Sequence, residues 1–345
     1  MRHPVSRRRT RALTVAFALA AAALLPSGSA GAADQYQWAA LGDSYTAGGF
    51  VGDPQPPLGD TSRDGCDRTS DAYPGLIERE LEEFPPGKPV NLTNVSCSNA
   101  TIAEIAADKQ TPVSPVQPPQ GGWTTVDTQI KRAKLNDETD VVTIGVGGNS
   151  LPFGDMLQEC LKRGPVLGQN CRDYYTNPPE GVESLQDRLA RVQDEYIQML
   201  AQVHEAAPNA KVITVGYPAV LPEDGNECNR TDIREVGAIK HADIDWLRDS
   251  VLIPLNTSIQ QVTNFFGDRY VDVYSSSAGH DACQPAGEKW VEGICGDAAD
   301  YWPAKLGVLN CGIINKRVTL VHPNAEGHQN TANHVERAIR IALLS

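Results

Sequence analysis

Asp140-Val141-Val142-Thr143-Ile144-Gly145 is the stretch that decides the fold class of this chain of 345 residues. Its centre is rich in β-branched residues and a glycine closes it, which is typical of a β-strand. Lys211-Val-Ile-Thr-Val-Gly216 has the same character. Both runs are nearly continuously apolar, so we expect them to be buried on two faces, as the strands of a parallel sheet are.

Weaker strand patterns flank these two runs, at residues 36–41, 92–95 and 269–273. Between the strands, apolar residues recur at gaps of three and four, which predicts helices over residues 184–206, 244–262 and 324–344. Pro254 is expected to kink the second of these helices. Strands that alternate with helices predict a helix–sheet–helix sandwich, with the functional site outside the carboxyl ends of the strands.

Residues 1–32 are typical of an export signal. An arginine-rich start precedes an apolar run over 12–25, and Ala30-Gly31-Ala32 fits a small-residue cleavage site. A membrane anchor is the alternative, but the run is short for a membrane span. The Sec and twin-arginine export routes both stay open. We expect residues 33–345 to form a single secreted, extracellular domain without a stable membrane anchor, since no linker-like break interrupts the strand patterns.

The charge of the chain excludes nucleic acid as a partner. The signal contains five of the 30 basic residues and none of the 43 acidic ones, so removing it leaves 25 basic against 43 acidic residues and a net charge of −18. Phosphate backbones bind basic surfaces instead. We expect a soluble monomer.

Eight cysteines behind an export signal predict disulfides, with one or two free thiols as the alternative. Eight cysteines allow 105 pairings, so the disulfide connectivity cannot be derived from the sequence alone. No CxxC and no Cys/His cluster has the spacing of a zinc site. We therefore expect no metal and no cofactor.

Two polar clusters predict a nucleophile and its base. Gly42-Asp43-Ser44 directly follows the first strand, where a serine would project from the sheet edge. A serine hydroxyl needs a neighbouring base, and histidine suits that task. His322 stands in the segment from 322 to 328 that precedes the last helix. The alternatives are a turn with a helix cap at Ser44 and a simple helix start at His322.

Two further clusters offer donors for an oxyanion. Gly147-Gly148-Asn149 follows the third strand, and Asn149 supplies a side-chain amide. Asn99 follows the second strand and offers its backbone N–H, as Ser44 does. A tight turn and an ordinary loop are the alternatives. A dinucleotide-binding loop is disfavoured because Ser150 occupies the position of its last glycine.

In these motifs the chain resembles the SGNH hydrolase family, also called the GDSL lipase/esterase family. The resemblance covers nearly all of residues 33–345 and rests on Ser44, Asn149 and His322. It implies a three-layer αβα sandwich with a flavodoxin-like parallel five-stranded sheet, and ester hydrolysis through an acyl-enzyme without a metal. Secreted actinobacterial members look most similar, and sequential disulfides, which we take as the expected pairing, resemble theirs: Cys66–Cys97, Cys160–Cys171, Cys228–Cys283 and Cys295–Cys311.

Three positions depart from the family pattern. Asn99 stands where the family has a glycine, and Ser150 stands where an aspartate often follows the oxyanion asparagine. Thr319 replaces the aspartate three residues before the histidine. We therefore expect a Ser44–His322 dyad whose histidine is oriented by the main-chain carbonyl of Thr319, as in some relatives. An aspartate from a distant loop is the alternative.

The sequence thus predicts a secreted carboxylic ester hydrolase, an esterase or lipase acting on an ester or lipid. A carbohydrate O-acetylesterase and a phospholipase could use the same site. A catalytically silent binding module is the alternative from another class. An α/β-hydrolase of the other common type is disfavoured because the chain has no Gly-x-Ser-x-Gly motif.

Overall fold

The central sheet of this computed structural model, which describes residues 34–344, consists of five strands. In chain order, β1 to β5 are Tyr36–Gly42, Val90–Asn94, Val141–Gly145, Lys211–Val215 and Arg269–Val271. All pair in parallel, in the order β2-β1-β3-β4-β5, which is the flavodoxin-like order. The predicted five-stranded parallel sheet is therefore confirmed. The predicted export signal, residues 1–32, lies outside the described residues.

Helices and short strands connect and cover the sheet. In chain order, helices α1 to α10 are Ser44–Ala47, Tyr73–Glu83, Ile102–Ala106, Gln129–Arg132, Phe153–Arg163, Cys171–Thr176, Leu185–Ala206, His241–Trp246, Ile253–Phe266 and Ala325–Leu344. Strands β6 to β9 are Cys295–Gly296, Lys305–Leu306, Leu309–Asn310 and Arg317–Val318, and they form two small antiparallel pairs. No helix within residues 34–344 is long and apolar enough to cross a bilayer.

Alternate residues of β1 point into the two halves of the core, because successive side chains of a strand face opposite sides. Ala39 and Leu41 pack with helices α7 and α9 on one face. Trp38 and Ala40 pack with helices α2 and α10 on the other face. Both layers of the sandwich are thus anchored on the same strand, and this fixes the end of β1 in space.

A π-helical turn directly precedes Pro254, where the sequence predicts a kink. Residues Leu247–Leu252 are π-helical, between α8 and α9, and the N–H of Ile253 bonds to the carbonyl of Arg248, five residues back. Proline has no N–H and crowds the carbonyl four residues earlier. A wider turn just before Pro254 accommodates both effects, and the helical direction continues into α9.

The eight cysteines form four disulfides in sequential order: Cys66–Cys97, Cys160–Cys171, Cys228–Cys283 and Cys295–Cys311. The first one joins the long loop after α1 to the loop that follows β2. The last one closes the segment that contains the small strands β7 and β8. These covalent links hold the long loops that border the carboxyl edge of the sheet.

Candidate active site

Ser44 begins helix α1 directly after β1. Gly42 has a φ of 153°, and a Cβ there would lie 2.2 Å from the Thr46 hydroxyl and 2.5 Å from the Gly145 carbonyl, so only glycine fits. Asp43 caps the helix by accepting a hydrogen bond from the Tyr45 N–H at 2.9 Å. This tight turn places the Ser44 side chain at the carboxyl edge of the sheet.

His322 reaches Ser44 from the opposite end of the chain. The Ser44 hydroxyl oxygen lies 2.8 Å from His322 Nε2, across 278 residues of sequence. His322 stands between β9 and α10, where the last connection returns to the carboxyl edge. The structure therefore brings together the two side chains that the sequence picked out.

Two main-chain carbonyls orient the imidazole of His322. Its Nδ1 lies 2.9 Å from the Thr319 carbonyl oxygen and 3.0 Å from that of Leu320. Carbonyl oxygens only accept hydrogen bonds, so Nδ1 carries the proton and Nε2 accepts from the Ser44 hydroxyl. Leu320 and Val321 both have left-handed backbone angles, with φ of 49° and 57°. Such angles are costly for these residues, and here they form the turn on which both carbonyls face the ring.

Aromatic rings enclose the imidazole. The ring centres of Tyr45 and Phe50 lie 4.7 and 4.5 Å from that of His322. The hydroxyl of Tyr45 donates to the Val321 carbonyl at 2.6 Å, which ties helix α1 to the loop of His322. Burial lowers the pKa of His322 to about 4, although the carbonyls of Leu320 and Thr319 raise it. The imidazole of His322 is therefore uncharged at neutral pH.

Asn149 and Asn99 border the same cleft as Ser44. One amide hydrogen of Asn149 is used by the Ala100 carbonyl at 3.0 Å, which leaves the second one available. Asn99 has a φ of 64°, a left-handed angle that asparagine tolerates better than most residues, and this explains how it replaces a glycine. Within residues 34–344, the N–H groups of Ser44 and Asn99 donate to no protein acceptor.

Ser150 has a structural task at the position where relatives often have aspartate. Its hydroxyl accepts a hydrogen bond from the Ile102 N–H at 2.9 Å, at the start of α3. This N–H belongs to the first turn of a helix and has no partner within the helix. Ser150 thereby joins the loop of Asn149 to the loop of Asn99.

Tyr217, which the sequence analysis missed, links two of these loops. Its hydroxyl donates to Asp43 Oδ2 at 2.5 Å and accepts from the Gly148 N–H at 2.7 Å. Burial raises the pKa of Asp43 to about 7, against the hydrogen bonds from Tyr217 and from the Tyr45 N–H. Tyr217 directly follows the Gly216 that ends the fourth strand pattern, and this position was the available signal, because strand ends of a parallel sheet converge at one edge.

The cleft above Ser44 has a volume of about 460 Å³, within the usual range for small-molecule sites. Beyond the loop of Asn149, its wall is mainly apolar, with Phe153, Leu157, Val220, Leu252 and Leu255, and α5 adds the exposed polar residues Asp155 and Gln158. On the side of His322, the wall contains Phe50, Trp302, Leu306, Leu320 and Val321 together with one carboxylate, that of Asp67. The site thus combines a serine–histidine pair, amide donors and a cleft with two different ends.

The fold and the site define a hydrolase of the SGNH type, and comparison with known proteins agrees. Residues 40–329 match the GDSL-like lipase/acylhydrolase family. The chain belongs to this family, which confirms the resemblance and the prediction of an ester hydrolase. It is 30% identical to an esterase of Streptomyces scabiei over 356 aligned positions, which cover 96% of this chain and 94% of the relative. It is 26% identical to lipase 2 of Streptomyces coelicolor over 86% of this chain and 83% of that one.

Solved structures share the fold. Phospholipase A1 from Streptomyces albidoflavus has a TM-score of 0.53 at 21% identity, covering 90% of this chain and all of that one. An extracellular lipase from Streptomyces rimosus has a TM-score of 0.51 at 21% identity, covering 88% of this chain and 99% of that one. At this level of identity the two likenesses support the architecture.

Proposed function

We propose that this protein is a secreted esterase or lipase that cleaves carboxylic esters through an acyl-enzyme on Ser44. The observation that carries the proposal is the 2.8 Å contact between the Ser44 hydroxyl and Nε2 of a neutral His322. That distance and that tautomer are what a general base needs to activate a serine. Secretion is supported by four disulfides and by the likeness to an extracellular lipase.

In the first half of the reaction, His322 Nε2 takes the proton of Ser44 as its oxygen bonds to the ester carbonyl carbon. The carbonyl oxygen becomes an oxyanion, which receives hydrogen bonds from the free amide hydrogen of Asn149 and from the N–H groups of Ser44 and Asn99. His322 then gives the proton to the leaving alcohol oxygen as the C–O bond breaks, and this leaves Ser44 acylated.

In the second half, water attacks the acyl-enzyme. His322 takes a proton from the water, the same donors stabilise the second oxyanion, and the proton returns to the Ser44 oxygen as the acid leaves. The carbonyls of Thr319 and Leu320 hold the imidazole in place throughout. They supply partial charge only, because no carboxylate contacts Nδ1 within residues 34–344.

The apolar end of the cleft favours acyl chains longer than acetate. A Cβ on Gly147, in the loop that leads to Asn149, would lie 3.5 Å from Leu255, so the apolar wall begins directly beside the oxyanion loop. An acetyl group would leave most of this wall in contact with water, whereas each further methylene buried there contributes about 0.8 kcal/mol. We therefore propose a lipid-type acyl ester as the substrate rather than an acetylated sugar.

The test combines active-site labelling with a panel of esters. A fluorophosphonate probe should label the wild-type protein and the Ser98→Ala variant, whose altered serine borders the same cleft, whereas the serine hydrogen-bonded to His322 is Ser44. It should not label Ser44→Ala. Turnover should be higher for octanoate than for acetate esters. Ester hydrolysis that persists in a folded Ser44→Ala protein would contradict the assignment of the nucleophile.

A further inference from the structure

We infer that Asp67 belongs to a subsite for the alcohol part of the ester and selects alcohols that carry a further hydroxyl group, as a glycerol ester does. This inference rests on the function proposed above. It concerns the half of the substrate that leaves first, which the apolar wall does not contact.

The position of His322 determines which end of the cleft receives the alcohol. The same imidazole that accepts the serine proton must deliver it to the leaving oxygen, so the alcohol has to lie on the His322 side of Ser44. On that side, Phe50 packs between His322 and Trp302, with ring centres 4.5 Å from each. The apolar wall with Leu255 lies beyond the Asn149 loop and is left for the acyl chain.

Asp67 is part of this alcohol side. A Cβ on Gly49, the residue before Phe50, would lie 3.0 Å from Asp67 Cβ and 3.4 Å from the Trp302 ring. Asp67 and Trp302 therefore pack over the same stretch of backbone, and both border the cleft. The other two carboxylates of the cleft are placed differently: Asp43 is buried and held by Tyr217, and Asp155 is exposed on α5.

The carboxylate of Asp67 is only half satisfied. Its Oδ1 accepts from the Ser114 hydroxyl at 2.5 Å, and within residues 34–344 its Oδ2 has no hydrogen bond and the group forms no ion pair. The neighbouring cations are engaged elsewhere: Arg63 donates to the Val116 carbonyl, and Arg68 pairs with Asp64. An alcohol with a hydroxyl group can donate a hydrogen bond to the free oxygen of this partly buried carboxylate, which favours its binding. An alkyl group bound at the same place shields the oxygen from water and leaves it without a donor.

The backbone at Asp67 makes clean variants possible. Its φ is 57°, in the left-handed region, where asparagine and glycine are tolerated and an alanine would be strained. Asp67→Asn removes the charge and retains an oxygen for the Ser114 hydroxyl. Asp67→Gly removes the whole acceptor and suits the same backbone angles.

The experiment compares 1-monooctanoylglycerol with propyl octanoate, which have the same acyl chain and differ in two hydroxyls. Released octanoate is titrated for the wild type, Asp67→Asn, Asp67→Gly and the matched control Asp155→Asn, and thermal unfolding confirms that each variant is folded. We expect wild-type kcat/KM to favour the glycerol ester about tenfold, the size of one hydrogen bond to a charged group. Asp67→Gly should bring the ratio near one, Asp67→Asn should lower it less, and Asp155→Asn should leave it unchanged.

The outcomes separate this inference from the proposed function. A wild-type ratio near one, or a ratio that folded Asp67→Gly leaves unchanged, overturns the role of Asp67 while ester hydrolysis stands. The wild type could instead prefer octanoylcholine to both esters and lose that preference in Asp67→Gly. Asp67 would then bind a cationic alcohol rather than a hydroxyl group, and this result overturns the proposal. Failure of the wild type to cleave either ester, together with no labelling of Ser44, defeats the proposed function itself.

Discussion

The hydroxyl of Tyr217 lies 2.5 Å from the carboxylate of Asp43, although 174 residues separate them. Through its other hydrogen bond, from the Gly148 N–H, Tyr217 joins the strand end that precedes Ser44 to the loop of Asn149. Asp43 in turn holds the first turn of α1 through the Tyr45 N–H. One buried phenol thus links the turn of Ser44 to the loop of Asn149, in addition to the direct pairing of β1 with β3.

Tyr217→Phe removes this link and should lower kcat about tenfold while KM changes less than about twofold. The variant leaves the Gly148 N–H unpaired and deprives Asp43 of a donor, so the two loops lose one of the links between them, and small displacements of catalytic groups are costly. Steady-state kinetics on an octanoate ester measure both constants. Tyr36→Phe is the control, because its hydroxyl bonds to the Leu343 carbonyl at the other end of β1. An equal loss in the two variants would refute a positioning role for Tyr217.

Asn99 should be replaceable by glycine but not by alanine. Its φ of 64° costs alanine roughly 1 kcal/mol or more, and glycine nothing. We expect Asn99→Gly to retain kcat within about twofold and Asn99→Ala to lose several-fold, since the strained backbone displaces the N–H that serves the oxyanion. Kinetics and melting temperature of both variants are the measurement. Equal loss of activity in both would assign the role to the side chain instead.

Thr319→Val should affect stability and spare catalysis. The group that faces His322 is the carbonyl of Thr319, whereas its buried hydroxyl donates to the Gly293 carbonyl at 2.8 Å. Loss of that hydrogen bond should lower the free energy of unfolding by about 1 kcal/mol with kcat unchanged. Thr319→Ser retains the hydroxyl and serves as the control in urea unfolding. A large fall in kcat in a folded Thr319→Val protein would show that the side chain acts in catalysis.

In the dependence of kcat/KM on pH, the decline on the acid side should be centred near pH 4. His322 works as a base only when neutral, and burial lowers its pKa to about 4 from an ordinary 6.5. The value of kcat/KM should therefore hold as the pH falls from 7 to 5 and decline below that, because kcat/KM reports the free enzyme. An octanoate ester at fixed ionic strength provides the profile, with the released octanoate measured by chromatography because the acid is largely protonated near pH 4. A decline centred above pH 6 would contradict a buried, neutral His322.

His328 should make the fold sensitive to acid. It is buried in α10, its Nδ1 accepts from the Tyr73 N–H at 3.3 Å, and burial lowers its pKa to about 3. Between pH 6.5 and 3 the unfolded chain binds a proton there that the folded protein does not, so stability falls as the pH falls through this window.

The change from pH 6.5 to 4.5 amounts to roughly 2 to 3 kcal/mol for one such histidine. His328→Gln should remove this contribution, measured as the difference between wild-type and variant urea unfolding at each pH. The raised pKa of Asp43 makes the folded protein more stable as the pH falls, which is the opposite effect. Because this effect is the same in the wild type and in the variant, it cancels when the two unfolding free energies are subtracted. Parallel curves for the two proteins would exclude His328 as the source.

Local sequence determined the fold class and singled out Ser44 and His322 as the predicted nucleophile and base. The strands β3 and β4 are nearly continuously apolar because both of their faces are buried, and this pattern can be read from the sequence alone. Ser44, Asn149 and His322 each follow or precede such an element, and parallel strands bring their carboxyl ends to one edge. The positions of these residues in the chain were therefore sufficient to predict that they meet.

Only the tertiary structure decided which hydrogen bonds join the loops of the site and which residues line the two ends of the cleft. The links of Tyr217 to Asp43 and of Asp67 to Ser114 join loops that are distant in sequence, and loop conformation has no periodic pattern to reveal it. The left-handed turn at Leu320 and Val321 contradicts the preference of both residues, so packing around His322 imposes it. Repeating apolar patterns encode the strands and helices. Contacts between loops depend instead on where the folded sheet places the ends of those loops.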